Sequence, residues 1–321
     1  MLDQPVRLST LETLAAEGVL DESQAARAGA ALRASLPWGK WADRLLLLVG
    51  TLLLLSGIVF FFAYNWEAMG RFMKLGLIEG ALAACLFFAW RVGLERLVGK
   101  ILVTSASVLV GVFLAVFGQI YQTGADAWTM FAAWSVLVVP WVAAARFPAL
   151  VVLWIALLHV TLITYVSQVG DPFDFNSTCL TLGMLNAAAL ALSETVLPWM
   201  RERWVRGILL CAALVCLQIP ATWFIIEPGH DGTTVGTLLA YLAALAGAWA
   251  AYRIRTPDLP ALSIWSLSAC VGLLTAIGKG MFSGRGDEVL TFFAFGMIVV
   301  GVFTAAVTML RRTARLLGES A

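Results

Sequence analysis

Apolar residues fall in ten long runs, near 45–64, 73–90, 101–120, 128–145, 148–168, 178–194, 206–226, 234–252, 260–278 and 289–310. Crossing a bilayer as a helix takes about 20 predominantly apolar residues, and the runs have about that length. No soluble core could hide this much apolar surface, so most of the chain is expected to face lipid or other lipid-embedded helices. The pattern therefore predicts an all-α, polytopic membrane protein of about ten transmembrane helices. The polar connections are short and leave no room for a second soluble domain. The run at 178–194 is the shortest, and only Arg146-Phe147-Pro148 separates the two runs within 128–168.

Residues 1–44 break this pattern and predict a cytoplasmic helical hairpin. Ser9-Thr10-Leu11-Glu12 reads as a capping box, Gly18 as the end of the first helix, and Asp21 to Gln24 as a second cap. Leu8, Leu11, Leu14 and Leu20 would line the inside of the hairpin. Pro37-Trp38-Gly39-Lys40-Trp41 reads as an interfacial anchor, with two indoles at headgroup depth. The expected division is 1–44 for hairpin and anchor, 45–310 for the helical bundle and 311–321 for a cytoplasmic tail.

Charge placement orients the runs. With the N-terminus inside, 17 of the 21 Lys and Arg residues fall in cytoplasmic segments, and only Arg71, Lys74, Lys279 and Arg285 fall outside. That asymmetry follows the positive-inside rule with an even number of spans, so both termini are expected in the cytoplasm. The outer loops instead carry acids, among them Glu67, Asp126, Asp171, Asp174, Glu227 and Asp231.

Composition agrees with the pattern: 61% of residues are hydrophobic and 13% charged, with a mean hydropathy of +0.89. A soluble domain carries about 25% charged residues. A net charge of +1 gives no footprint for nucleic acid. The five cysteines lie in or beside apolar runs without CxxC spacing, and no metal, cofactor or disulfide is expected from them. There is no phosphate-binding glycine loop, no H-E-x-x-H and no nucleophile elbow, so the chain is not expected to be an enzyme. His230-Asp231 sits in a Pro/Gly turn that explains it without a ligand.

Candidate chemistry lies in the polar residues inside the runs, because an ionisable group at membrane depth costs several kcal/mol unless paired or hydrated. Glu79 lies about two turns into the second run, and protonation would reduce its penalty. His159, Asn186 and Gln218 sit within later runs, and Gln119 closes the third. Glu79, Gln119, His159 and Gln218 share a bias toward the outer leaflet, with Asn186 near mid-membrane. They predict a polar cavity open to the outside, alongside the alternative that each is a helix-to-helix bond. The connector Phe117 to Phe131, with Gly118, Tyr121, Thr123, Gly124 and Asp126, lies at the mouth of that cavity. Pro220 and Pro140 predict kinks. Gly118, Thr123, Gly124, Phe131 and Trp134 align with Gly278, Ser283, Gly284, Phe292 and Phe295, a match of the third and fourth runs to the last two that small residues produce by chance as well.

The N-terminal hairpin, the exit Phe62-Ala63-Tyr64-Asn65-Trp66, Lys74 and the Gly118-Gln119-Ile120-Tyr121-Gln122-Thr123-Gly124-Ala125-Asp126 connector resemble a family of bacterial predicted membrane proteins catalogued as a domain of unknown function. The resemblance reaches about Pro140. It implies a bacterial inner membrane, transfers no activity, and directs attention to Asn65, Trp66, Gln119, Tyr121, Thr123, Gly124 and Asp126. The expected function is a small-solute or ion carrier with an outward-facing polar cavity. The alternative is a non-catalytic membrane scaffold that binds a cell-envelope partner. The lipid bilayer is the expected partner in either case, and assembly with copies of itself stays open.

Overall fold

The computed structural model describes residues 14–15 and 17–35, scattered positions between 42 and 64, and 66–318 except 125, 170–174, 228–231 and 285–287. The predicted cap at Ser9 to Glu12, the anchor Pro37 to Trp41, Asn65 and most of run 45–64 lie outside the described residues. So do Asp171, Asp174, His230 and Asp231. The chain divides into two compact units, Met1–Gly70 and Arg71–Ala321.

The first unit holds α1 (Glu22–Ser35). Its predicted cap is a reciprocal one. Asp21 Oδ1 accepts from the Gln24 amide at 2.9 Å, while Gln24 Oε1 accepts from the Asp21 amide at 3.0 Å, so two otherwise orphan donors are satisfied. The Ser23 hydrogen bond and the Gln24 amide hold the Asp21 carboxyl below its ordinary 3.8. Gly18, at φ +72°, ends the preceding turn in the left-handed conformation that glycine adopts without strain.

The second unit holds nine helices long and apolar enough to cross a membrane, among the described residues. They are α2 (Arg71–Val92), α3 (Leu97–Tyr121), α4 (Ala127–Ala145), α5 (Pro148–Val169), α6 (Phe175–Thr195), α7 (Arg203–Ile226), α8 (Gly232–Trp249), α9 (Leu259–Phe282) and α10 (Glu288–Gly318). No strand occurs among the described residues. These helices match nine of the ten predicted runs, and the tenth is the run at 45–64. The break inside 128–168 is made by two residues. Arg146 ends α4 in the left-handed conformation at φ 44°, and Pro148 opens α5, where its missing N–H costs nothing. Both α4 and α7 continue through Pro140 and Pro220.

Consecutive helices joined by these short links pack antiparallel, with α2 on α3, α4 on α5 and α6 on α7. One end of the unit, where α2, α4, α6 and α8 finish, therefore gathers the basic residues. The other gathers the connector with Asp126, and Glu227 and Glu288 at the helix ends. The deepest core surrounds α7, where Leu209, Leu210, Leu214 and Leu217 are almost wholly buried between α6, α8 and α9. A second core joins Ala89, Val103, Val138, Ala145 and Leu150 across α2 to α5. At the far edge α10 leans on α9; most of its apolar length stays unburied, and it reaches the core near its end through Leu310 and Thr313.

Candidate functional site

The polar side chains inside the spans form separate groups. His159 on α5 meets Asn186 on α6: imidazole Nδ1–H donates to the Ile155 carbonyl at 2.8 Å, leaving Nε2 to accept from Asn186 Nδ2 at 2.8 Å. The same amide nitrogen donates to the Leu182 carbonyl at 2.7 Å. Asn186 is 1% exposed. Each donor on these two side chains has an acceptor, so the pair stitches α5 to α6 and leaves no N–H free for a ligand.

Gln218 is engaged elsewhere. Its Oε1 accepts from Ser268 Oγ at 2.9 Å, and its Nε2 donates to the Ser268 carbonyl at 3.3 Å. Tyr241 donates its hydroxyl to that carbonyl at 2.8 Å. This set ties α7, α8 and α9 together. Gln218 and Ser268 also line an apolar groove of about 450 Å³ between α7 and α9, together with Cys211, Val215, Ile219 and Leu267. A side chain on Gly272 would meet the Tyr241 hydroxyl at 2.9 Å, so the glycine lets the tyrosine reach across.

The connector stands at the acidic end. Gln122 closes α3 in the left-handed conformation, Gly124 follows at φ +61°, and the Thr123 amide returns to the Gly118 carbonyl at 3.4 Å. Gln119, Tyr121, Thr123, Gly124 and Asp126 are exposed there. Asp126 is the N-cap of α4 without a side-chain bond of its own. Its carbonyl accepts the Thr129 hydroxyl at 2.6 Å. The connector is pinned to α5 by the Trp128 amide, which donates to Gln168 Oε1 at 3.1 Å, and by an edge contact of Trp128 with Tyr165 at 5.1 Å. Trp66 is half-buried.

Glu79 joins none of these groups. It is exposed on α2. Of the predicted site residues, the structure brings together His159 with Asn186, and the connector residues with one another. It does not bring Gln218 or Glu79 to either.

Sequence reasoning missed a charged cluster at the basic end. Arg206 on α7 donates from Nε to Glu194 Oε1 at 2.6 Å and from Nη1 to Asp258 Oδ2. Its guanidinium also lies over the Tyr252 ring, 5.5 Å from the centroid. Asp258 caps α9 through the Ala261 amide at 3.1 Å. Tyr252 belongs to a π-helical turn, Ala250–Arg255, that continues α8. The available signal was the pattern Asp258-Leu259-Pro260, an N-cap followed by proline within the first turn. Arg206 itself reads in sequence only as a topology charge.

Indoles add a further set of cross-links. Trp134 donates to the Ser107 carbonyl at 2.7 Å, Trp154 to Ser135 at 3.0 Å and Trp265 to Leu245 at 2.8 Å. Trp134 lies flat against Gly111, where a Cβ would come within 2.4 Å of its ring. Phe295, its counterpart in the aligned hairpin, lies against Gly278, where an added Cβ would stand 3.3 Å from its ring. Gly278 aligns with Gly118 rather than with Gly111, so the two hairpins pack in registers two turns apart.

Residues 12–151 match the family described as Predicted membrane protein (DUF2157). The DUF2157 match takes in residues 12–44 of the N-terminal module, run 45–64, α2 to α4 with the connector, and the first turn of α5. The His159–Asn186, Gln218–Ser268–Tyr241 and Arg206 groups lie beyond it. No curated protein and no solved structure matches the chain.

Proposed function

We propose that this membrane protein is a non-catalytic scaffold for a cell-envelope partner, with its basic end in the cytoplasm and its acidic connector outside. The observation that supports this reading is the use of the intramembrane polar groups. His159 and Asn186 satisfy each other between α5 and α6, and Gln218, Ser268 and Tyr241 do so among α7, α8 and α9. A carrier needs polar groups left free to replace the hydration of its cargo; the donors of these two groups are already bonded, and Glu79, which joins neither group, stands exposed on α2. The exposed connector residues Gln119, Tyr121, Thr123 and Asp126 offer the partner a polar surface at the acidic end.

Labelling tests the reading directly. In a full-length chain whose five native cysteines are replaced, Asn186→Cys and Gln218→Cys should resist a membrane-impermeant maleimide applied from outside, while Gln122→Cys in the connector reacts. Labelling at either intramembrane position would restore the hydrated cavity and the carrier reading. Proton- or ion-coupled flux in vesicles that falls with Glu79→Gln would do the same.

A further inference from the structure

A groove between α9 and α10 runs toward the basic end of the second unit. It measures about 370 Å³ and is walled by Trp265, Ala269 and Leu273 on α9 and by Val302, Ala305 and Met309 on α10. Its polar edges are closed. The Trp265 indole N–H donates to the Leu245 carbonyl at 2.8 Å, and the Ser266 hydroxyl to the Ser263 carbonyl at 3.0 Å, so the walls offer apolar contact. Past Met309 the chemistry changes. The helical steps that align Val302, Ala305 and Met309 bring Arg312 next on that side of α10, with Arg311 and Arg315 beside it, all three exposed. Leu310, packed on the core cluster of Tyr252 and Leu262, and the wholly buried Thr313 fix this end of the helix in place. From Glu288, which opens α10 at the acidic end, the axis rises roughly 32 Å to Met309 at about 1.5 Å per residue. A hydrocarbon core is about 30 Å thick, so Arg312 stands level with the headgroups. Among the described residues the ion pairs belong to Arg206, and none involves the three arginines of α10.

We propose that this groove holds an acyl chain of an anionic phospholipid whose phosphate sits on Arg312 and its neighbouring arginines. Charge and depth select the occupant. A guanidinium presents a planar fork that matches phosphate oxygens, and basic pockets between membrane helices attract anionic headgroups. A zwitterionic lipid brings the same tails but sets a cation beside its phosphate, which three arginines oppose. The chain's own run 45–64 is as apolar as a lipid tail, but it contains no acidic residue, so it supplies nothing for Arg312 to hold. A small soluble anion meets the arginines and leaves the groove unfilled. A molecule with an apolar tail and an anionic head, joined at headgroup depth, answers both halves of the site. This inference stands apart from the scaffold reading, because its test concerns the edge between α9 and α10 and neither the connector nor the bonded polar groups of the interior. It holds with the basic end on either side of the membrane.

Native mass spectrometry of the full-length chain in neutral detergent tests it, with dioleoylphosphatidylglycerol and dioleoylphosphatidylcholine as probes. The chain should retain the phosphatidylglycerol at least about five-fold more than the phosphatidylcholine. Arg312→Ala should lower that retention about five-fold, the usual weight of one basic residue at a lipid surface. Because Arg312 is exposed, its replacement leaves the core untouched. Ala305→Trp fills the groove, keeps every charge and should lower retention at least as much. Arg96→Ala, at the exposed N-cap of α3, should leave it within about two-fold. Excess inorganic phosphate should not displace the lipid. Equal retention of the two lipids, the result if a segment of the chain itself fills the groove, would overturn the proposal. So would retention that Arg312→Ala or a folded Ala305→Trp variant leaves unchanged, an equal loss with Arg96→Ala, or release by inorganic phosphate.

Discussion

Gly111 shows how a single residue sets helix spacing in this molecule. The absence of a side chain there lets the Trp134 ring lie against α3 and its N–H reach the Ser107 carbonyl. A methyl group at that point would stand 2.4 Å from the ring, a distance the core must relieve by moving the indole or the helix. Gly111→Ala should therefore lower stability by about 1–3 kcal/mol, the usual cost of overpacking. Gly247, in α8, meets nothing within 4 Å, and Gly247→Ala should change stability by less than about 1 kcal/mol, toward the stabilising side, through helix propensity alone. Thermal unfolding of the two variants in the same detergent checks the contrast, and an equal response would show that the glycine is not shaped to the indole. The same scale explains what was legible in the candidate site. His159, Asn186 and Gln218 stood out as polar residues in apolar runs, but their partners Ile155, Leu182 and Ser268 offer backbone carbonyls or a common hydroxyl that no composition distinguishes.

Among the elements, α7 organises the second unit, and the Arg206 cluster fastens its basic end to α6, to α9 and to the π-helical turn after α8. Arg206 and Asp258 have side chains only 14% and 6% exposed. Removing the guanidinium would leave two carboxylates, Glu194 and Asp258, without their counter-charge in a poorly hydrated place. Breaking a buried ion pair from one side costs about 3–5 kcal/mol, and partial exposure of Glu194 argues for the lower end. Arg206→Met should thus cost about 3 kcal/mol. Arg206→Lys should cost less, since it keeps the charge but loses the two-pronged geometry. Unfolding in detergent measures both, and a neutral Arg206→Met would mean the cluster contributes no net stability. The helices themselves were legible from the runs, and so was the Asp21–Gln24 cap, because these features depend on neighbours within four residues. The cluster was not, because Glu194 and Asp258 lie 12 and 52 residues from Arg206 in the chain.

For the whole molecule, the separation of charge between its two ends makes a prediction about orientation. Seventeen of 21 basic residues fall in segments assigned to one side, including Arg311, Arg312 and Arg315 near the end of α10. A fluorescent protein that folds only in the cytoplasm should glow when fused after Ala321, and a periplasmic phosphatase fused there should stay inactive. The reverse pair of results would invert the bundle and move the connector to the cytoplasm.

The amino-acid sequence alone marked the chain as an all-helical membrane protein and located the nine helices of bilayer length among the described residues, where they turn and which ends are basic. Those properties rest on hydropathy, on Pro and Gly at the links, and on charge, all of which act locally along the chain. Only the tertiary structure decided which faces meet. Spans that are apolar on every side carry no stripe to mark an inner face, so the rotation of each helix follows from the fit of side chains such as Trp134 on Gly111 and Leu217 on Gly183. That rotation buries Asn186 against His159 and leaves Glu79 facing outward.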